Sequence, residues 1–212
     1  MIFDCDGTLV DSEPLARIAW ERSLAPHGYA IDDDEYAGLI GLPYPRVHGF
    51  FAERIAGLPA PDAFWTGYSG ELFALIDSAL EPFPDALETV HGLRERNVAV
   101  AVASSSVRAR LDRSLRRAGL ADAFAVSVAG DEVAHGKPAP DMFLAAAERL
   151  GVEPERCAVI EDSAPGIAAG RAAGMHTIGI ARAAREAVAL EDAHVVLDRL
   201  SVDAVLGGHG AT

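Results

Sequence analysis

The sequence predicts an α/β protein: a mostly parallel sheet covered by helices on both faces, with a small all-helical segment inserted after the first strand. Three observations carry this reading. From about Glu81 onward, short Val- and Ala-rich runs alternate with amphipathic stretches, the order of elements that builds parallel sheets. Between residues 12 and 80 there is helical periodicity and no strand-like run. The stretch "LEPFPD" at 80–85, with Pro82 and Pro84, then reads as a stiff linker returning the chain to the sheet. The expected division is a sheet domain of 1–11 and 81–212, and a helical domain of 12–80.

The elements follow in order. Only three residues precede Asp4, and a first strand this short suggests that residues are missing before Met1. In the insert, Leu15, Ile18, Ala19 and Arg22 recur at helical spacing, as do Phe64, Tyr68, Leu72, Phe73, Leu75 and Ile76. Its aromatics, Phe50, Phe51, Phe64, Trp65 and Tyr68, are expected to pack a small core of their own. A helix is expected at 85–95. "VAVAVAS" at 98–104 is too continuously apolar for a half-wet strand and reads as a buried parallel one. Residues 106–118 form a helix opened by a Ser cap, with Arg108, Arg110, Arg113, Arg116 and Arg117 as a solvated flank. Strands are expected within 123–130, 157–162, 177–180 and 195–197. Helices are expected at 141–150, ended by Gly151, and at 165–173. The tail from Gly207 is expected to be disordered.

Composition removes several function classes. The formal net charge is -14, from 18 Lys+Arg against 32 Asp+Glu, so nucleic acid and anionic membrane are poor partners. An anionic substrate would need a local positive device. Seven histidines lack close pairs, and the two cysteines, Cys5 and Cys157, lack metal or redox spacing, so they read as core thiols in a reducing compartment. No segment is apolar enough over sufficient length to span a bilayer, and no basic leader precedes a cleavage site. A cytoplasmic monomer is the expectation.

Polar residues concentrate where the predicted strands end. Asp4 and Asp6 in "FDCDGTLVD" have period-2 spacing and share one side, with Cys5 turned into packing. Ser104 and Ser105 close the second strand, Lys137 lies in "AHGKPAPD", and Glu161 and Asp162 end "CAVIED". The C-terminal edge of an open parallel sheet is where ligands bind. These groups suit phosphoryl transfer. A carboxylate such as Asp4 is ionised at neutral pH, its free pKa being about 3.9, and it can attack phosphorus to form an acyl-phosphate. Charge repulsion is relieved by a cation on hard oxygen ligands, for which Mg2+ is the natural choice. Asp4, Asp162 and the backbone carbonyl of Asp6 can supply ligands. Lys137, Ser104 and nearby backbone N–H groups can bind phosphoryl oxygens, Asp6 can carry the proton, and Gly7 gives the backbone close approach to the phosphate.

The four motifs, "DCDGT" at 4–8, Ser104, Lys137 in "KPAPD", and "EDS" at 161–163, resemble those of the haloacid dehalogenase superfamily. The wording "TLVDSE", "GKPAPD" and "EDSAPGIAAGRAAGM" is similar to its phosphatase and β-phosphoglucomutase-like branch. That resemblance implies a Rossmann-like core, a helical cap, Mg2+ dependence and an aspartyl-phosphate intermediate. The acidic surface disfavours large polyanions, so the expected substrate is a small phosphorylated metabolite such as a sugar or sugar-acid phosphate. The resemblance makes Asp4 the nucleophile, Asp6 the acid/base, Ser104, Ser105 and Lys137 the phosphoryl-binding groups, and Asp162 a metal ligand with Glu161 coordinating or supporting. Asp6 argues against carbon–halogen cleavage, because dehalogenases of this superfamily lack the second aspartate. A sugar phosphomutase is the alternative, yet the His and Arg of such mutases align with Ala16 and Tyr44, with Arg46 nearby. A non-catalytic binding protein would be marked by loss of Asp4, Asp6 or Lys137, and all three are present.

Overall fold

The computed structural model describes residues 1–40, 42–182 and 187–209. In chain order its strands are β1 (Ile2–Phe3), β2 (Val10–Asp11), β3 (Glu81–Pro82), β4 (Ala101–Ser104), β5 (Val126–Ala129), β6 (Ala158–Glu161), β7 (His176–Ile180) and β8 (Val195–Leu197). Six of them form one parallel sheet in the order β5-β4-β1-β6-β7-β8. The remaining pair, β2 and β3, forms a separate antiparallel ribbon. Contacts divide the chain into two compact units, Met1–Asp11 with Glu81–Thr212, and Ser12–Leu80.

The central strands are apolar on both faces because helices cover both. Ile2, Phe3, Ala101, Val102, Ala103, Val159 and Ile160 are wholly buried, each large apolar side chain contributing about 1.5–3 kcal/mol. The first four helices belong to the insert and the remaining five to the sheet unit. In chain order they are α1 (Glu13–Leu24), α2 (Asp33–Ala37), α3 (Tyr44–Ala52), α4 (Pro61–Ala79), α5 (Pro84–Glu95), α6 (Arg108–Arg117), α7 (Asp141–Leu150), α8 (Ala164–Ala172) and α9 (Val202–His209). On the sheet, Met142, Phe143, Ala146 and Ala147 of α7 pack with Ile2, Ala101, Ala103 and Val159. The small side chains of β4 leave room for that helix to lie close. Gly151 ends α7 in the left-handed conformation, φ 67°, as its position after the last apolar residue implies.

The second unit is all helical. Trp20 of α1 is its hub: ring centroids of Tyr68, Phe51, Phe64 and Tyr44 lie 4.3, 5.2, 5.7 and 5.7 Å away. Phe51, Leu72 and Ile76 are fully buried, so these residues pack the unit's own interior. Asp32 caps α2, accepting from Asp34 N at 2.9 Å, while Glu35 reaches back to Asp32 N at 3.4 Å, a reciprocal cap that suits so short a helix.

Several local expectations are corrected. The 80–85 segment is not merely a linker: Glu81 and Pro82 pair with Asp11 and Val10. Pro82 is tolerated because a two-stranded ribbon has edges that need no N–H. Ser106 does not cap α6; Val107 holds the N-cap position, and Asp131 accepts from Arg108 N at 2.9 Å. Nor is the arginine flank simply solvated, since Arg108 pairs with Asp112 and Glu132 and Arg110 pairs with Asp6. Residues 207–209 belong to α9, whose Val205 is fully buried; residues 210–212 lie outside the described residues. Packing against α5 orders a segment that composition alone marks as loose. Among the described residues, no helix is long and apolar enough to cross a membrane.

Candidate active site

The site forms where β1, β4 and β6 end side by side. Asp4 follows β1 directly, and its N–H donates to Ile160 O at 2.9 Å, fixing its position beside β6. The chain then folds back tightly: Leu9 and Val10 both donate to Cys5 O, and Gly7 N–H donates to Val10 O. Leu9 and Val10 are fully buried, which anchors this loop from below. Gly7 takes φ 84°, a backbone that L side chains rarely adopt.

Lys137 joins all three strand ends. Its ammonium contacts Asp4 Oδ1, Glu161 Oε1 at 2.7 Å and Ala103 O at 3.3 Å, and its side chain is only 5% exposed. Burial works to lower the Lys137 pKa, but Asp4 and Glu161 outweigh it and hold the group above the ordinary lysine range. On Asp4 burial dominates: its pKa is pushed up to about 7, against the pull of Lys137 and with the help of Glu161 and Asp6. Asp162 is raised well above the carboxylate range, first by burial and then by Glu161 and Asp4. Three acids thus face one buried cation, and the centre is short of positive charge.

The predicted residues converge. Asp4, Glu161 and Asp162 each offer an oxygen within 4.8 Å of the others, a set of hard donors able to hold a metal ion. Glu161 is 1% exposed and is held at both oxygens, one by Lys137 and the other by Ser163 N and Oγ at 2.6 and 2.8 Å. Ser163 in turn caps α8, accepting from Gly166 N at 3.2 Å. Ser104 Oγ donates to Asp6 Oδ2 at 3.3 Å and accepts from Ser106 N at 3.1 Å. Ser105 is exposed, outside this hydrogen-bond network, and its carbonyl lies against Gly130.

Other residues join the site to which the sequence assigns no role there. Thr8 Oγ1 donates to Asp162 Oδ1 at 3.4 Å. Ser106 Oγ donates to Asp6 Oδ2, and Arg110 Nη2 to Asp6 Oδ1, both at 2.7 Å. No helical spacing signals this pair, since Ser106 lies before the N-cap of α6 and Arg110 inside the helix. The space beside Gly7 also has a different owner from the one expected, because the Asp162 carboxylate fills it.

The sequence profile of haloacid dehalogenase-like hydrolases matches residues 1–174. The chain belongs to that family. It is 36% identical over 182 residues to the fructose-1-phosphate phosphatase of Escherichia coli, covering 85% of this chain and 95% of that one. It is 30% identical over 197 residues to a phosphorylated carbohydrates phosphatase of Thermotoga maritima, covering 92% and 91%. Among solved structures, a mutant of the Rhodobacter sphaeroides protein CbbY in complex with xylulose-(1,5)bisphosphate superposes with a TM-score of 0.82 at 26% identity, covering 93% of this chain and 92% of that one. The parallel sheet and its flanking helices are thus the fold of the haloacid dehalogenase-like hydrolases.

Proposed function

We infer that this chain is a phosphoric monoester hydrolase acting on a small phosphorylated sugar or sugar acid, with Asp4 as nucleophile. The observation that carries the reading is the buried Lys137 ammonium between Asp4 and Glu161 at the sheet's C-terminal edge. A carboxylate fixed there by a cation is oriented for attack, and the same cation can meet an incoming phosphoryl oxygen. The names of the relatives, both phosphatases of phosphorylated carbohydrates, support the substrate class.

In the proposed reaction an Asp4 oxygen bonds to phosphorus as the ester P–O bond breaks, and the leaving sugar oxygen takes a proton from the Asp6 carboxyl. Water then attacks the phosphorus of the acyl-phosphate, gives its proton to the Asp6 carboxylate, and the bond to Asp4 breaks to release phosphate. Ser104, Lys137 and the backbone N–H of Ser105 hold the phosphoryl oxygens. A divalent cation fits the donor set, because two buried acids, Asp4 and Glu161, and the half-buried Asp162 are compensated by one lysine. Asp4, Asp162 and the Asp6 carbonyl would hold Mg2+, with Glu161 coordinating or supporting. When bound, the ion neutralises charge on the phosphoryl group.

The helical unit, as a cap, is assigned the choice of organic group. Tyr44, at the place where a mutase would carry its Arg, instead stacks on Trp20 and donates to Pro61 O at 2.7 Å, and Ala16 has no group to restrain hydrolysis. Hydrolysis is therefore preferred to phosphoryl return. The test is phosphate release from a panel of sugar and sugar-acid phosphates, with Mg2+ and with chelator, for wild type and Asp4→Asn. The reading requires Mg2+-dependent release that vanishes in Asp4→Asn. Release that persists in that variant, or hexose 6-phosphate as the main product from hexose 1-phosphate with a bisphosphate primer, would overturn it.

A further inference from the structure

We propose that Arg110, together with Ser106, is the positioning device for the Asp6 carboxylate, and that these two side chains keep hold of it when a phosphoryl group arriving at Ser104 takes over that hydroxyl's hydrogen bond. The inference rests on the reading of Asp6 as the proton carrier and adds the residues that aim it.

The geometry is a fork. Arg110 Nη2 holds Asp6 Oδ1 at 2.7 Å, while Oδ2 takes Ser106 Oγ at 2.7 Å and Ser104 Oγ at the longer 3.3 Å. With both oxygens engaged on different donors, the plane of the carboxyl is fixed. The two charged side chains are partly shielded, 20% and 26% exposed for Arg110 and Asp6, so the charge-assisted bond is stronger than a surface pair. Arg110 lies in the first turn of α6 and Ser106 just before its N-cap, and the helix is anchored by Asp131 on Arg108 N. The tether therefore reports the position of a helix built on the sheet, which suits a group whose aim must be held closely.

Ser104 is the shared element. A hydroxyl has one proton to donate, and in this structure it goes to Asp6. A phosphoryl oxygen bound by Ser104 takes that proton's hydrogen bond, and Asp6 loses the longest of these three bonds. Ser106 and Arg110 remain, and they keep the carboxyl facing the ester oxygen instead of rotating into water. Arg110 touches neither phosphate nor metal in this scheme; it acts through Asp6.

A proton donor matters only when the leaving group needs a proton, and this separates the proposal from a structural or phosphate-binding role. The experiment measures kcat/KM for wild type, Arg110→Gln, Arg110→Lys and Ser106→Ala on phenyl phosphate and on 2,4-dinitrophenyl phosphate. These have similar ring shapes, but dinitrophenolate leaves without protonation. Inhibition by inorganic phosphate is measured alongside. The expectation for Arg110→Gln is a loss of about tenfold or more on phenyl phosphate, a share of the roughly 10²–10⁴-fold that general acid–base catalysis contributes, and under about threefold on the dinitrophenyl ester. Arg110→Lys recovers much of that loss, Ser106→Ala shows a smaller loss with the same split, and phosphate inhibition is unchanged. Equal losses on both esters, weakened phosphate inhibition, or no loss on either overturns the proposal. Should Arg110→Gln fail to fold, Ser106→Ala tests the same carboxyl, and the absence of a split there is equally decisive. A wild type inert toward both esters overturns the hydrolase reading and this inference with it, whereas an active wild type with unsplit losses overturns this inference alone.

Discussion

Gly7 lies so close to Asp162 that a Cβ on it would overlap the Asp162 carboxylate. The bare backbone after Asp6 is therefore required by an acid arriving from another strand, as well as by its own left-handed φ of 84°. Gly166 and Glu161 repeat the relation, the glycine leaving room for a carboxylate that reaches the start of α8. Two of the three acids at the centre thus stand in spaces vacated by side chains.

Gly7→Ala is expected to cost about 1–3 kcal/mol in stability from backbone strain and to weaken Mg2+ affinity by displacing Asp162. Urea denaturation and a Mg2+ titration of the hydrolytic rate check this. Normal affinity in the variant would show that Asp162 adapts without loss.

The metal-free protein is expected to lose stability as pH rises. Asp4 titrates near 7 when folded, against 3.8 as its ordinary value, so the folded state binds more protons than the unfolded state between these limits. Stability conferred by that uptake is present below about pH 4 and lost by about pH 7, and the raised Asp162 acts in the same sense. In chelator, urea midpoints at about pH 4.5 and 7.5 should fall more for wild type than for Asp4→Asn. Adding Mg2+ should stabilise wild type more at the higher pH.

Arg182 and Asp85 make a partly buried pair with bonds of 2.8 and 2.6 Å, and Arg182 also donates to Thr8 O at 2.9 Å. Burial opposes the charge on Asp85, but Arg182 and the Leu200 N–H hold its pKa below the usual carboxylate range. Its contribution is present above the unfolded pKa and lost as pH falls through the lowered one. Arg182→Met is expected to destabilise by about 3 kcal/mol, since it strands Asp85, and calorimetric melting at neutral pH reads the loss.

Trp20→Ala is expected to cost about 3–5 kcal/mol in the helical unit, whose aromatic rings converge on that indole. Near-ultraviolet circular dichroism should lose much of its aromatic signal in the variant. An unchanged unfolding midpoint would mean that the cavity collapses without penalty.

What was legible in the sequence was whatever depends on short-range pattern. Strand β8 and helix α7 lie where alternation and periodicity place them, because apolar runs and a terminal Gly151 are local signals. Asp4, Lys137, Glu161 and Asp162 were legible as strand-end polar groups, and the sheet order brings them together. The tether on Asp6 was not, because Arg110 looks like any arginine on a helix rich in them until β1 and β4 are known to be neighbours. Ser106 was read as a cap for the same reason: its competing partner is a hundred residues away in sequence. The order of α9 likewise depends on Leu200 N–H meeting Asp85 and Val205 meeting a buried surface, contacts that its glycine-rich composition does not announce.

The ribbon of β2 and β3 has a consequence for how this protein can be taken apart and rebuilt. Asp11 and Glu81 face each other across an antiparallel pair, so the chain leaves and re-enters the sheet unit at paired residues, with the 69 residues of 12–80 between them. A two-residue turn is enough to close such a pair into a hairpin. The helical unit is therefore expected to be exchangeable: a segment whose ends meet a strand spacing apart can be spliced between these residues with the pairing of Val10 with Pro82 and Asp11 with Glu81 kept.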